Sequence, residues 1–136
     1  MATRTRPCDG RTSAGRLRKA EQFLDAAETI RDLADDEADV GDAFVTLCVH
    51  AGIAASDTIC CEALGHYVQG DDHNQAVSEL SKVRPSGNEL GNDLRALLQM
   101  KSRAEYGPWP VSVEQRKRAW RRAEGLVEAA RLRRSG

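Results

Sequence analysis

One long apolar segment, residues 43–61, constrains the fold more than any other feature of this chain. It reads Ala-Phe-Val-Thr-Leu-Cys-Val-His-Ala-Gly-Ile-Ala-Ala-Ser-Asp-Thr-Ile-Cys-Cys. A helix that is apolar nearly all round, as from Ala43 to Ala55, must be covered by protein on several sides. His50 and Asp57 interrupt the segment before it could span a bilayer, and we therefore expect no membrane insertion. The segment predicts the central helix of a helical bundle.

The rest of the chain repeats the helical period and shows no alternating strand pattern. Aromatic residues make up only 4% of the 136 residues, so the core must be built from Ala, Leu, Val and Ile. Asp72 with Gln75, and Ser112 with Gln115, have the spacing of helix capping boxes. We predict an all-α fold, an antiparallel bundle of four or five helices. The expected helices cover about residues 15–34, 42–65, 72–84, 90–105 and 113–134, with Ser13 a candidate first cap.

Charge is segregated along the chain. Residues 1–14 have no apolar period and are expected to form a flexible basic arm, ahead of one helical domain over residues 15–136. Residues 101–136 are also basic, whereas residues 21–100 have a large acidic excess. We expect the basic ends to lie against the acidic middle, within a monomer or a dimer, although such asymmetry can also steer a partner.

The four cysteines form neither a disulfide framework nor a zinc clip by their spacing. They are Cys8, Cys48, Cys60 and Cys61. Reduced thiols buried as small hydrophobic groups are the expectation, in a cytoplasmic protein with no metal and no cofactor. The basic N-terminus is not followed by an apolar segment, so no secretory signal is predicted.

Asp57 is the leading candidate for a site because a carboxylate inside an apolar helix is costly unless it is paired. His50 lies two turns earlier on the same stripe, and His73, Lys101 and Tyr106 stand in polar patches elsewhere. These five residues are the candidate ligand-binding group. Two interpretations stay open: Asp57 binds a ligand, or Lys101, Tyr106 or His73 satisfies it as a structural partner.

The fifth helix offers a second kind of surface. Arg118, Arg121 and Arg122 are candidates for contacts with nucleic acid phosphates, and the alternative is a solvated basic face. Trp109 stands between two prolines, where it could stack on a base or cover the end of the core. Phosphate loops, nucleophile elbows and zinc motifs are absent from the sequence, which argues against a stand-alone enzyme.

Three short motifs resemble those of HEPN-type domains. They are Ala54-Ala-Ser-Asp57, the Asp72-His73 helix start, and Lys101-x-x-Ala-Glu-Tyr106. The resemblance covers about residues 15–134 and implies a small all-α domain, often dimeric, from prokaryotic defence or toxin–antitoxin systems. Ribonuclease members carry an Arg and, four to six residues later, a His, a pair that this chain lacks. At that spacing stand Lys101, without the planar fork of Arg, and Tyr106, which cannot serve as a base near neutral pH.

The function predicted from the sequence is therefore a non-catalytic interaction or ligand-binding module. We expect a homodimer that binds a protein partner or a nucleotide-bearing ligand through the region of Asp57, Lys101 and Tyr106. One alternative is an RNA-acting enzyme with an altered site that uses those residues. Another is a small basic nucleic-acid-binding protein.

Overall fold

The computed structural model describes residues 5–70 and 72–136, and within them the all-α prediction is confirmed. Five helices form an antiparallel bundle, and a short 3-10 helix, Glu37–Val40, precedes the second. Two three-residue strands, β1 (Thr5–Pro7) and β2 (His66–Val68), pair antiparallel at one end. The helices are α1 (Gly10–Leu33), α2 (Gly41–Leu64), α3 (His73–Ser81), α4 (Gly87–Glu105) and α5 (Val113–Ser135).

Helix α2 is the centre of the bundle, as the apolar segment predicts. It packs against α1, α4 and α5, and Val45, Val49 and Ile59 are fully buried. Gly52 lies where α2 meets the other helices, and a Cβ there would overlap the side chain of Leu97. The small residue is needed for this close approach. The stretch Glu37–Leu64 is long and apolar enough to cross a membrane, but 78% of its most apolar window is buried inside the protein.

Most helix ends lie where the sequence signals place them. The Asp72 side chain accepts a hydrogen bond from the Gln75 backbone N–H, and Ser112 and Gln115 form a full capping box. Gly65 ends α2 in the left-handed conformation with φ of 77°, a region that glycine enters without steric cost. Helix α1 differs from the prediction, because Asp9 caps it and it begins at Gly10. Aspartate is a strong N-cap residue, and the first turn carries no apolar period that could have revealed it.

Ser13 and the residues before it are not a flexible arm within the described part of the chain. Ser13 is buried, and its hydroxyl donates to Glu62 rather than capping a helix. Thr5–Pro7 pair with β2, and the Cys8 N–H donates to the Gly65 carbonyl over 3.2 Å. Residues 1–4 of the expected arm lie outside the described residues.

A disulfide joins Cys8 to Cys61, which corrects the expectation of four reduced thiols. The two cysteines are 53 residues apart in sequence, so their spacing gave no signal. They meet because α1 and α2 are antiparallel, which brings the segment that precedes α1 to the C-terminal end of α2. Cys48 and Cys60 are free and buried as expected, and burial raises the pKa of each thiol to about 12.

Part of the basic C-terminal segment lies against the acidic middle, within one chain. Arg131 of α5 pairs with Glu21 at 2.9 Å, and Arg134 pairs with Glu62 at 3.2 Å. Such exposed pairs contribute about 0–1 kcal/mol each, so they stabilise the fold only slightly.

Candidate functional site

Asp57 is paired with Arg16 of α1. The antiparallel packing of α1 on α2 sets the two side chains opposite each other, and Nε and Nη2 of Arg16 both lie 2.8 Å from Oδ2 of Asp57. The Asp57 side chain is only 12% exposed. Within the described part of the chain, the bonds of Asp57 run to Arg16 and not to Lys101, Tyr106 or His73, the partners considered from the sequence. The prediction that Asp57 is paired is right, and the predicted partners are wrong.

Burial dominates the electrostatics of Asp57. It raises the pKa of the carboxyl to about 6, and the Arg16 guanidinium offsets only part of that effect. A carboxylate with this pKa is ionised at neutral pH and takes up a proton under mildly acidic conditions. The protonated carboxyl gains an O–H donor and keeps a carbonyl acceptor.

Asp57 lines a partly enclosed cleft of about 260 Å³. Both Arg16 bonds fall on Oδ2, and no hydrogen bond from the described residues reaches Oδ1. His73, at the first position of α3, and Tyr67 of β2 line the same cleft. The apolar part of the lining comes from α2, β2, α3 and α4, through Ile53, Val68, Ala76, Leu94 and Leu98.

The other three candidate residues form a separate cluster around Glu105. Lys101 Nζ lies 2.9 Å from one carboxylate oxygen of Glu105, and His50 Nε2 lies 3.5 Å from the other. The bond from Lys101 holds the pKa of Glu105 below its usual value. Tyr106 is exposed, with its ring centroid 5.8 Å from Lys101 Nζ. Sequence reasoning missed Glu105, although its spacing of four residues from Lys101 is typical of a helical ion pair.

The Asp57 cleft and the Glu105 cluster lie along the same helix faces. Ile53 stands between His50 and Asp57 on α2, and Leu98 precedes Lys101 by three residues on α4. Residues three and four apart are neighbours on a helix surface. The five candidates thus share one side of the bundle but occupy two adjacent places rather than one.

A second cleft, of about 490 Å³, lies at the other end of α2. The Arg31 guanidinium carbon lies 4.5 Å from the Trp120 ring centroid and 5.7 Å from that of Phe44. The two rings are stacked with centroids 6.0 Å apart. We call this the basic–aromatic cleft; its lining is completed by Glu37, Val40, Val113, Glu114, Arg116, Lys117 and Arg121.

The three arginines predicted to contact nucleic acid have different surroundings. Arg121 lines the basic–aromatic cleft, whereas Arg122 pairs with Asp93 of α4 at 2.6 Å. Arg118 is exposed and does not line that cleft. Trp109 is 72% exposed, so the interpretation that it covers the end of the core is wrong. The other tryptophan, Trp120 of α5, is the one that lines a cleft.

Within residues 5–70 and 72–136, no three His, Cys, Asp or Glu side chains come together as a metal-binding group. No protein-family model matches the chain, and no curated protein matches it significantly.

Proposed function

We propose that this chain is a non-catalytic, HEPN-like binding module whose Asp57 cleft takes an amino-bearing nucleobase of a nucleotide-bearing ligand. The observation that carries the proposal is the placement of both Arg16 bonds on Oδ2 of Asp57. A carboxylate held in this way keeps an ionised acceptor, Oδ1, for a ligand that donates N–H.

The charges of the cleft favour an uncharged group. Arg16 and Asp57 neutralise each other, so the pair attracts neither an anion nor a cation strongly. Ile53, Leu94 and Leu98 supply apolar contact area, and ligand sites are mostly apolar with few polar groups.

The size and the rings of the cleft favour a small planar group. A volume of about 260 Å³ is slightly below that of drug-sized sites. Tyr67 and His73 line it with rings on which a base can stack. Carboxylates accept hydrogen bonds from the exocyclic amine of cytosine, and cytosine is a single ring. Cytidine is therefore the natural probe.

Calorimetric titration with cytidine and uridine tests the proposal. Cytidine should bind and uridine should not, because the base of uridine presents a carbonyl oxygen where cytosine presents an amine. In an Asp57→Asn variant the Arg16 donors hold the amide oxygen, so the amide nitrogen faces the ligand. The preference should then reverse toward uridine. Asp93→Asn, which alters an acidic residue outside the cleft, should bind as the wild type does; equal binding of both nucleosides to the wild type would contradict the proposal.

A second candidate function, RNA cleavage at an altered site, is favoured by the Glu105 cluster. His50 is 41% exposed and its Nε2 lies 3.5 Å from Glu105, while Lys101 supplies a nearby positive charge. Histidine is the side chain that most often serves as a general base in catalysis. Cleavage of a ribo-oligonucleotide that is lost in His50→Ala and kept in His66→Ala would support this candidate. An inactive wild type would contradict it.

The expected homodimer remains a proposal, and one helix supports it. The exposed face of α1 carries Arg11 and Arg18 in its first half and Asp25 and Asp32 in its second. An antiparallel pair of these faces about a two-fold axis would set each charge against its opposite. Light scattering at low and high salt tests this arrangement. We expect a dimer that dissociates more readily at high salt, and a monomer at both salt concentrations would contradict it. A defence or toxin–antitoxin role, a protein partner and a cytoplasmic location stay predictions.

A further inference from the structure

We propose that the basic–aromatic cleft is a second binding site, for a nucleoside phosphate. The ligand would place its base on the aromatic side of the cleft and its phosphate among the cations of α5. Neither the Asp57 cleft nor the Glu105 cluster contributes to this site.

The aromatic side is built by three residues from different helices. Phe44 of α2 is buried and fixes the position of Trp120, which stacks on it at 6.0 Å. Arg31 of α1 lies over both rings. A base can stack on the planar Arg31 guanidinium that lies over the indole, and the rings beneath it add apolar contact.

The cations on the other side lack ion-pair partners in the part of the chain that the structure describes. Arg31 is matched by Asp32 at 3.1 Å and Glu28 at 3.8 Å on its own helix. No comparable ion pair involves the remaining three cations of the lining, which are Arg116, Lys117 and Arg121. The lining carries four cations against two carboxylates, Glu37 and Glu114. An anion bound there gains favourable interactions without breaking an existing pair of α5.

The volume separates this site from the Asp57 cleft. About 490 Å³ falls within the range of about 300–1,000 Å³ that small-molecule sites occupy. Phe44 and Asp57 are about 20 Å apart along α2 at 1.5 Å per residue. One mononucleotide cannot fill both places, so the two sites can be tested independently.

The same chemistry could come from a free mononucleotide or from the 5′-phosphorylated end of a single strand. The fluorescence of Trp120 reports on binding directly in a Trp109→Phe background, because the chain has two tryptophans. The probes are adenosine 5′-monophosphate, adenosine, inorganic phosphate and a short 5′-phosphorylated oligoadenylate.

We expect the monophosphate to quench Trp120 and to bind at least about tenfold more tightly than adenosine or phosphate alone. Arg121→Ala should weaken binding about tenfold, equivalent to about 1.4 kcal/mol. Arg118→Ala, three residues earlier on α5 but outside the cleft, should change affinity less than about twofold. If the oligoadenylate binds clearly more tightly than the monophosphate, the site is assigned to strand ends. If the two affinities are equal, it is assigned to mononucleotides.

Three results would overturn the proposal. In the first, inorganic phosphate alone binds as tightly as the monophosphate. In the second, Arg118→Ala weakens binding as much as Arg121→Ala does. In the third, millimolar monophosphate does not quench the fluorescence of Trp120. Circular dichroism of each variant separates a lost site from a lost fold.

Discussion

The two clefts at opposite ends of α2 handle charge in opposite ways. At Asp57 a buried carboxylate is matched by Arg16, and the cleft is electrically balanced. At Trp120 the neighbouring cations of α5 are exposed or half-exposed and need no partner, because water solvates them. In the Asp57 cleft, burial requires the carboxylate to have an ion-pair partner within the protein. In the basic–aromatic cleft, the exposed cations of α5 have no such requirement and can bind an anion.

Removing the partner of Asp57 should have the largest effect. Arg16→Ala leaves a buried carboxylate unpaired and should lower the free energy of unfolding by about 3–5 kcal/mol. Arg131→Ala breaks the exposed pair with Glu21 and should cost about 0–1 kcal/mol. Urea denaturation measures both. Equal effects would mean that the Arg16 pair behaves as a surface pair. The double variant Arg16→Ala with Asp57→Ala should regain part of the loss.

Breaking the Cys8–Cys61 disulfide should affect the two clefts differently. Cys8→Ser should lower stability by about 2–4 kcal/mol under oxidising conditions, because the disulfide closes a long loop of the unfolded chain. It should also free β1 from β2, whose Tyr67 and Val68 line the Asp57 cleft. Hydrogen exchange should therefore rise in residues 66–68 and stay unchanged around Trp120. Unchanged exchange at both places would argue against a disulfide that holds this wall.

The pH dependence of stability should report on Asp57 with a definite sign. Its pKa is raised to about 6 from 3.8, so the folded state binds the proton more tightly than the unfolded state does. The stability that comes from protonation of Asp57 is present at low pH and is lost as the pH rises through about 6. Lowering the pH from about 7 to about 5 should add about 1 kcal/mol, an increment that Asp57→Asn lacks. Thermal denaturation of both proteins measures it, and an identical pH profile would contradict the raised pKa.

Salt should change the ligand affinities of the two clefts to different extents, and this difference is the smallest of the expected effects. Affinity for the monophosphate should fall severalfold between low and physiological ionic strength, because exposed cations are screened. Cytidine affinity at the Asp57 cleft should change less than about twofold, since its ligand is uncharged. Fluorescence and calorimetric titrations at two salt concentrations measure the contrast. A cytidine affinity that falls in parallel would indicate that both ligands occupy the basic–aromatic cleft.

The fold could be predicted from the sequence because its signals are local. The apolar run of α2, the caps at Asp72 and Ser112, and Gly65 each act within a few residues. The pairing of Asp57 depends instead on how α1 rotates against α2, and Arg16 is 41 residues away. The sequence indicates that Asp57 needs a partner, but not which cation faces it. Cys8 and Cys61 escape prediction for the same reason.

Trp120 shows what a helical period alone cannot predict. Its helical phase places it on the inward side of α5, and it does contact Phe44 of the core. Its remaining exposure depends on the turn between α1 and α2, which leaves room beside Arg31 and Glu37. A helical period separates inner from outer faces but does not locate a gap between elements. The basic residues Arg116, Lys117 and Arg121 around it are the sequence signal that could have indicated a site.

A crystal structure of the protein soaked with cytidine would show whether the Asp57 cleft binds a nucleobase. We expect the pyrimidine ring in the Asp57 cleft, with its amino nitrogen about 3 Å from Oδ1 of Asp57 and Arg16 still bonded to Oδ2. A ring bound elsewhere, or an Arg16 that occupies both oxygens of Asp57 and closes the cleft, would contradict it. In that case the Arg16–Asp57 pair would serve the fold alone.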